Sequence, residues 1–382
     1  MSTVRHVLVV GGGTMGLAAA WALARAGVEV TVLEQFSHVH ERGSHSGLTR
    51  IIRQAYHEGE HYVPIVQRAD RLWTELGARA GRALLERTGL LEFGPDDDPD
   101  FLRSIAACER HEVAHTRHDA VELQQRWPFL VPEGWSANFT PSGGYLRVDA
   151  CLDALRDEAR AAGATFHYGA AVREIDVRAA TVTLDDARRL HADAVVVTAG
   201  AWLPSLLPEL VPGRLARLRR VLTWWSPEAI HVPALARLPV WAAFDPAGFF
   251  YGFPHSDEGI AGLKIACHTT REPSVDDDPI DPDDVDRDLH DRDLAGLVDF
   301  VDARFPSACG PVSAHRVCLY TTTPSWDFVI DRHPDDARVV IAGGFSGHGF
   351  KFAPAIGELV AELCLDPGRS APERFSVARH RG

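Results

Sequence analysis

Lysine is all but missing from this sequence of 382 residues. Lys264 and Lys351 are the only two, and the 39 basic residues less these two leave 37 arginines. Arginine serves every surface role of a cation, whereas an ammonium is a compact point charge that can shed its proton when desolvated. A coding bias toward arginine explains the 37 but not which two lysines remain, so both are candidates for chemistry that needs a lysine. Positive charge is itself in deficit: 53 acidic against 39 basic residues give a net charge of −14, which argues against a nucleic-acid surface and for a small-molecule partner. No apolar run is long enough to cross a bilayer, and the N-terminus enters a strand at once without a signal-peptide pattern. The expectation is a cytoplasmic protein with no membrane partner. The six cysteines, Cys108, Cys151, Cys267, Cys309, Cys318 and Cys364, show no CxxC or Cys/His spacing, so neither a disulfide framework nor a metal site is expected.

What is present suffices for two lobes, with 46% hydrophobic residues over 382 positions. The run from His6 to Val10 reads as a buried strand and leads directly into Gly11, Gly12, Gly13, Thr14, Met15 and Gly16, followed by an alanine-rich helix from Leu17 to Ala26. This is GxGxxG in its required strand-to-helix setting. Gly11 permits the tight turn, Gly13 admits a pyrophosphate, Gly16 lets helix pack on strand, and the helix N-terminus faces the phosphates. A second strand, Val28 to Leu33, ends at Glu34, whose carboxylate suits the two ribose hydroxyls of an adenosine. The motif leaves NAD and FAD both open, and with NAD a dehydrogenase of that class.

Farther along stand the runs Gly43 to Tyr56, Arg87 to Gly94, Arg126 to Pro128, Val195 to Trp202, Tyr251 to Pro254, Gly262 to Lys264, Cys318 to Tyr320 and Gly344 to Phe352. In order and over nearly the whole chain they resemble the monomeric sarcosine oxidase family of D-amino-acid-oxidase-like flavoproteins. The resemblance implies FAD, joined through its 8α-methyl group to the thiolate of Cys318. It implies that Lys264, in the half-buried strand from Gly262 to His268, serves reaction with oxygen near the flavin N5, where a fixed cation stabilises nascent superoxide. Arg53 and Lys351 would hold the substrate carboxylate at both oxygens. Arg50 would lie by the flavin ring, His268 and Tyr251 on the substrate side, and Gly347 and His348 beside the flavin. With the glycine-rich turn, Glu34 and Lys351, the residues Ser44, Thr49, Val172 and Gly349 complete the implied cofactor set.

The implied activity is oxidation of the C–N bond of a secondary, N-methyl amino acid such as sarcosine, with O2 as acceptor, giving H2O2 and an imine that hydrolyses. A cyclic imino acid, pipecolate- or proline-like, or a fructosyl amino acid is the alternative within the fold. A non-catalytic or RNA-modifying protein retaining a flavin fold is disfavoured by the acidic balance. A monomer is expected. Ser46 and Leu48 depart from the family's pattern of two histidines, glycine and aspartate. Two alanines in the run from Val240 to Phe244 suggest a roomier pocket, and Trp224 and Trp225 add bulk whose place the sequence does not fix.

The fold class follows as α/β, a Rossmann-like FAD-binding domain with a second, substrate domain built on an antiparallel sheet with helices. The strand from Ala194 to Gly200, the strand from Val339 to Gly344 and the helix from Ala353 to Leu365 complete a discontinuous FAD-binding domain over 1–82, 145–210 and 318–382. Segments 83–144 and 211–317 form the substrate domain. The acidic stretch from Asp276 to Asp293 reads as a solvated loop entering a helix.

Overall fold

The computed structural model describes residues 4–211, 213–271 and 280–381. A six-stranded sheet runs, in spatial order, Val329–His333, Asp336–Gly343, Ala194–Val197, His6–Val10, Glu29–Glu34 and Thr165–Tyr168. All neighbours are parallel except the hairpin of the first two. A sheet covered on both faces needs apolar residues at every position. The first strand obeys this: Val7 and Val9 enter one core with helices Thr14–Arg25, Val148–Ala161 and Ala353–Leu365, while Leu8 and Val10 enter another with the antiparallel strands Val172–Asp176 and Thr181–Leu184. Two glycines permit the tightest contacts. A Cβ on Gly16 would stand 1.8 Å from Gly11 O, and one on Gly357 would stand 2.3 Å from Ala18 O, so helix Ala353–Leu365 lies close on helix Thr14–Arg25.

An eight-stranded sheet runs Val312–Thr322, Ala216–Trp225, Leu263–Thr270, Gly248–Gly252, Val240–Asp245, Leu90–Pro95, Trp135–Thr140 and Thr116–Asp119. It is mixed rather than wholly antiparallel, because Val240–Asp245 pairs in parallel with Leu90–Pro95. Helix Asp291–Arg304 covers one face, with Leu297, Phe300 and Val301 packed in one core with Trp241 and Phe250. Residues of the other face, among them Leu222, Ala242 and Tyr251, line a cavity.

Two expectations change here. Residue 318 falls in the middle of strand Val312–Thr322, so the expected boundary at 317/318 cuts one strand of this sheet. Lys264 is on an interior strand, paired on both sides and 3% exposed, not on a half-buried one. Positions 276–279 of the acidic stretch lie outside the described residues. Its end does enter a helix, Asp291–Arg304, started by reciprocal hydrogen bonds between His290 and Asp293.

Candidate active site

A cavity of about 440 Å³ opens at the carboxyl ends of the parallel strands and reaches the eight-stranded sheet. Its first end is the glycine turn. Gly11, at φ +95°, brings its Cα within a bond's length of a clash, since a Cβ would meet Thr198 O at 2.7 Å. At Gly13 the added atom would find no protein closer than His45 Nδ1 at 3.9 Å, so the glycine leaves open cavity. Thr14, Met15, Glu34 and Val172 also line this end. Glu34 accepts from Gly12 N at 2.7 Å and Phe36 N at 2.8 Å; burial raises its pKa, and these backbone donors oppose the rise. Each oxygen keeps a lone pair for a ribose hydroxyl. Gly16 does not line the cavity; its part is the helix packing described above.

The middle is built by the loop before strand Thr49–Ile52. His45 lines the cavity, burial drives its pKa down to about 3, and its Nε2 is buried without a hydrogen-bond partner among the described residues. An orphaned polar atom beside an open glycine cradle suits a dinucleotide. Cys318, 1% exposed, faces the same space. Its Sγ lies 3.1 Å from Ser46 Oγ and accepts from Arg50 Nη2 at 3.0 Å. Arg50 is itself fixed by donation to Ser44 O at 3.0 Å, Thr49 O at 2.8 Å and Ser46 O. Gly347 approaches closely enough that a Cβ would strike the Tyr320 ring at 2.2 Å.

At the far end, Arg53 is 5% exposed and donates to Glu58 Oε2 at 2.7 Å and Ala55 O at 2.7 Å. Burial opposes ionisation of Glu58, yet Arg53, His57, His348 and Lys351 together hold its carboxyl well below the usual range. Lys351 Nζ donates to His348 O at 2.8 Å and Tyr56 Oη at 3.3 Å. Burial, aided by Arg53, lowers its pKa to about 7. His348, its pKa lowered to about 4 by burial, faces Trp326 O through Nε2 at 3.1 Å and Tyr56 Oη through Nδ1 at 2.7 Å. A carbonyl can only accept, so Nε2 carries the hydrogen and Tyr56 donates to Nδ1. A second relay mirrors the first. Tyr251 hydrogen bonds Tyr320, and Tyr320 Oη lies 3.0 Å from His268 Nδ1. Burial keeps His268 neutral.

Of the expected site residues, Ser44, Arg50, Arg53, Tyr251, His268, Cys318, Gly347, His348, Gly349 and Lys351 therefore meet around one cavity. Lys264 and Thr49 stand behind it. Lys264 Nζ donates to Gly47 O at 2.6 Å, Thr49 O at 2.9 Å and Thr49 Oγ1 at 3.1 Å, over the Phe253 ring at 4.4 Å. Burial first, then Arg50, lowers its pKa well below the ordinary lysine value. Ala242 lines the cavity while Ala243 turns into the opposite core, so one alanine widens the pocket rather than two. Trp224 packs beside Cys318, and Trp225 packs into the opposite core.

The family described as FAD dependent oxidoreductase matches residues 6–363. The chain belongs to that family. Membership in this FAD family decides the cofactor left open by the glycine motif and sets aside the NAD-dependent dehydrogenase. Monomeric sarcosine oxidase from Bacillus sp. (strain B-0618) is 36% identical over 371 residues, 96% of this chain and 93% of the relative. N-methyl-L-tryptophan oxidase from Yersinia pestis (strain Pestoides F) is 32% identical over 386 residues, 98% and 99% of the two. Among solved structures, the open form of NikD, an unusual amino acid oxidase, has a TM-score of 0.82 at 25% identity and covers 97% of each chain. The fold is also that of fructosyl amine: oxygen oxidoreductase (Amadoriase I) from Aspergillus fumigatus, TM-score 0.81 at 20% identity, covering 100% of this chain and 92% of that one. Among the described residues no helix is long and apolar enough to cross a membrane, and no cluster suits a metal ion.

Proposed function

We propose that the protein is an oxidase of N-methyl amino acids, with sarcosine or a larger N-methyl amino acid as substrate and O2 as acceptor. The observation that carries the reading is one cavity with a dinucleotide cradle at one end and two buried cations, Arg53 and Lys351, at the other. The two relatives named above act on N-methyl amino acids by their names, and this supports the choice of substrate.

FAD, when bound, accepts the hydride from the carbon next to nitrogen and returns the electrons to O2. Gly13 and Glu34 would hold its nucleotide half, His45 would meet it with a ring nitrogen, and Cys318 would anchor it as a thioether. Arg50 donates to that sulfur and fixes its place. Lys351, when protonated, and Arg53 bind the two carboxylate oxygens and so orient the α-carbon. Tyr251 and Tyr320 set the tautomer of His268: a donor order of Tyr251 to Tyr320 to Nδ1 leaves hydrogen on Nε2. Lys264, when protonated, supplies positive charge behind Arg50 for the oxygen step, in a dry setting where charge acts strongly.

A cyclic imino acid or fructosyl amino acid is the second reading, favoured by the small Ala242 on the substrate wall. Anaerobic mixing tests the proposal: sarcosine or N-methyl-L-tryptophan should bleach the yellow flavin band, and glycine or dimethylamine should not. A band left intact by every N-methyl amino acid overturns it.

A further inference from the structure

We propose that Tyr56 is a positioning residue of the carboxylate grip: its ring holds Arg53 and its hydroxyl holds Lys351, so that one rigid side chain sets the place of both cations. The inference rests on the reading of Arg53 and Lys351 as the carboxylate pair.

Tyr56 stands in the loop after strand Thr49–Ile52 and is 1% exposed. It is not among the residues that line the cavity, whereas Arg53 and Lys351 are. What it does for a ligand it therefore does through them. The Arg53 guanidinium carbon stands 4.2 Å from the centre of the Tyr56 ring, at cation–π distance. Lys351 Nζ donates to Tyr56 Oη at 3.3 Å and lies 5.3 Å from the same ring centre. Tyr62 and Phe352 hold the ring in place, with ring centres 5.3 and 5.5 Å away.

The direction of each hydrogen bond along this path is fixed from its far end. Trp326 O can only accept, so His348 Nε2 carries the hydrogen and Nδ1 accepts from Tyr56 Oη at 2.7 Å. The Tyr56 oxygen is left with lone pairs alone and can serve Lys351 only as an acceptor. That suits an ammonium. One of its three hydrogens goes to Tyr56, a second to His348 O at 2.8 Å, and the third is left for a ligand in the cavity. Trp326, whose carbonyl anchors the path, has φ +61°, a left-handed backbone uncommon for a bulky side chain. The charged groups around Lys351 are Arg53, Glu58 and Arg50. Tyr56 is the uncharged side chain that touches both cations.

The probe is methoxyacetate, which carries the carboxylate but no amine, titrated into the holoenzyme by perturbation of the flavin spectrum. Tyr56→Phe keeps the ring and its packing and removes only the hydroxyl. At pH 6 it should weaken binding about tenfold, the size of one hydrogen bond to a charged group. In a Lys351→Met background the same change should weaken binding by less than about twofold, because the hydroxyl then has no cation to hold. The fall in affinity with rising pH, which follows the charge of Lys351, should begin at lower pH in Tyr56→Phe, since an ammonium without its acceptor gives up its proton sooner. Equal weakening in both backgrounds, an unmoved pH profile, or wild-type affinity in Tyr56→Phe each overturns the proposal, the first two marking a purely structural role. Should Lys351→Met bind too weakly to titrate, the pH profile decides alone. Tyr56→Leu also takes the ring from Arg53 and should cost about fivefold beyond Tyr56→Phe; no further loss overturns the part assigned to the ring. If wild type fails to bind methoxyacetate at any pH, the carboxylate reading of Arg53 and Lys351 falls, and the role of Tyr56 falls with it.

Discussion

Arg53 is held by both oxygens of Glu58, through one guanidinium nitrogen at 2.5 and 2.7 Å. The residue expected to grip the substrate is thus already gripped. A buried cation kept by one internal anion releases part of that bond when a second anion arrives, so Glu58 both preorganises Arg53 and competes with substrate.

Glu58→Gln removes the competitor and leaves Arg53 short of countercharge. The folded state should lose about 3 kcal/mol, the scale for breaking a buried ion pair. Methoxyacetate, a carboxylate isosteric with sarcosine that lacks an oxidisable C–N bond, should restore much of it. Thermal unfolding with and without that ligand checks this, and the ligand-induced rise in Tm should be larger in the variant than in wild type.

Lys351 gives a pH dependence whose sign is fixed. Its pKa is lowered to about 7 in the ligand-free protein, so it is charged below that pH and neutral above it. Affinity for a carboxylate should fall as pH rises through 7, and Lys351→Met should weaken binding at pH 6 while flattening the profile. The stability linkage runs the other way. The unfolded chain keeps this proton up to about pH 10.4, so the contribution of Lys351 to stability rises between 7 and that value and is constant below it. Denaturant titrations of wild type and Lys351→Met across this range check the sign.

Lys264→Met should leave anaerobic flavin reduction by substrate largely intact and slow reoxidation by O2 at least about 100-fold, the scale for removing one preorganised electrostatic group. Stopped-flow measurement of the two half-reactions separates them. Equal losses in both would show that Lys264 serves chiefly to hold the backbone of Gly47 and Thr49.

Cys318→Ser should yield protein from which acid precipitation frees all the yellow cofactor, whereas wild type should keep its colour in the pellet. Arg50→Ala, which strips the sulfur of its cationic donor, should lower the attached fraction, read as absorbance remaining after gel filtration in denaturant.

Much of this was legible in the residues. The run from His6 to Glu34 specifies strand, turn, helix and strand by local chemistry; both strands form within a residue of their expected bounds, and the helix starts three residues earlier, at Thr14. The helix Ala353–Leu365 matches its expected span. Glu58, Tyr56, Tyr320 and His45 received no role, because their value lies in contacts made by chain folding: Tyr56 meets His348, 292 residues away. Some signals were there. Tyr320 is two residues past Cys318 on one strand and so shares its face. Nothing local could show that Lys264 would have three oxygen partners and a place behind the cavity wall.

The central claim is oxidation of an N-methyl amino acid at the expense of O2. A peroxide-coupled screen of N-methyl, cyclic and fructosyl amino acids on the purified yellow protein tests it most directly. The account predicts one H2O2 per substrate consumed, with an N-methyl amino acid giving the highest kcat/KM and its amide or ester, which lacks the carboxylate, giving little. Turnover as fast on the uncharged amide, or no peroxide from any carboxylated secondary amine, would contradict it.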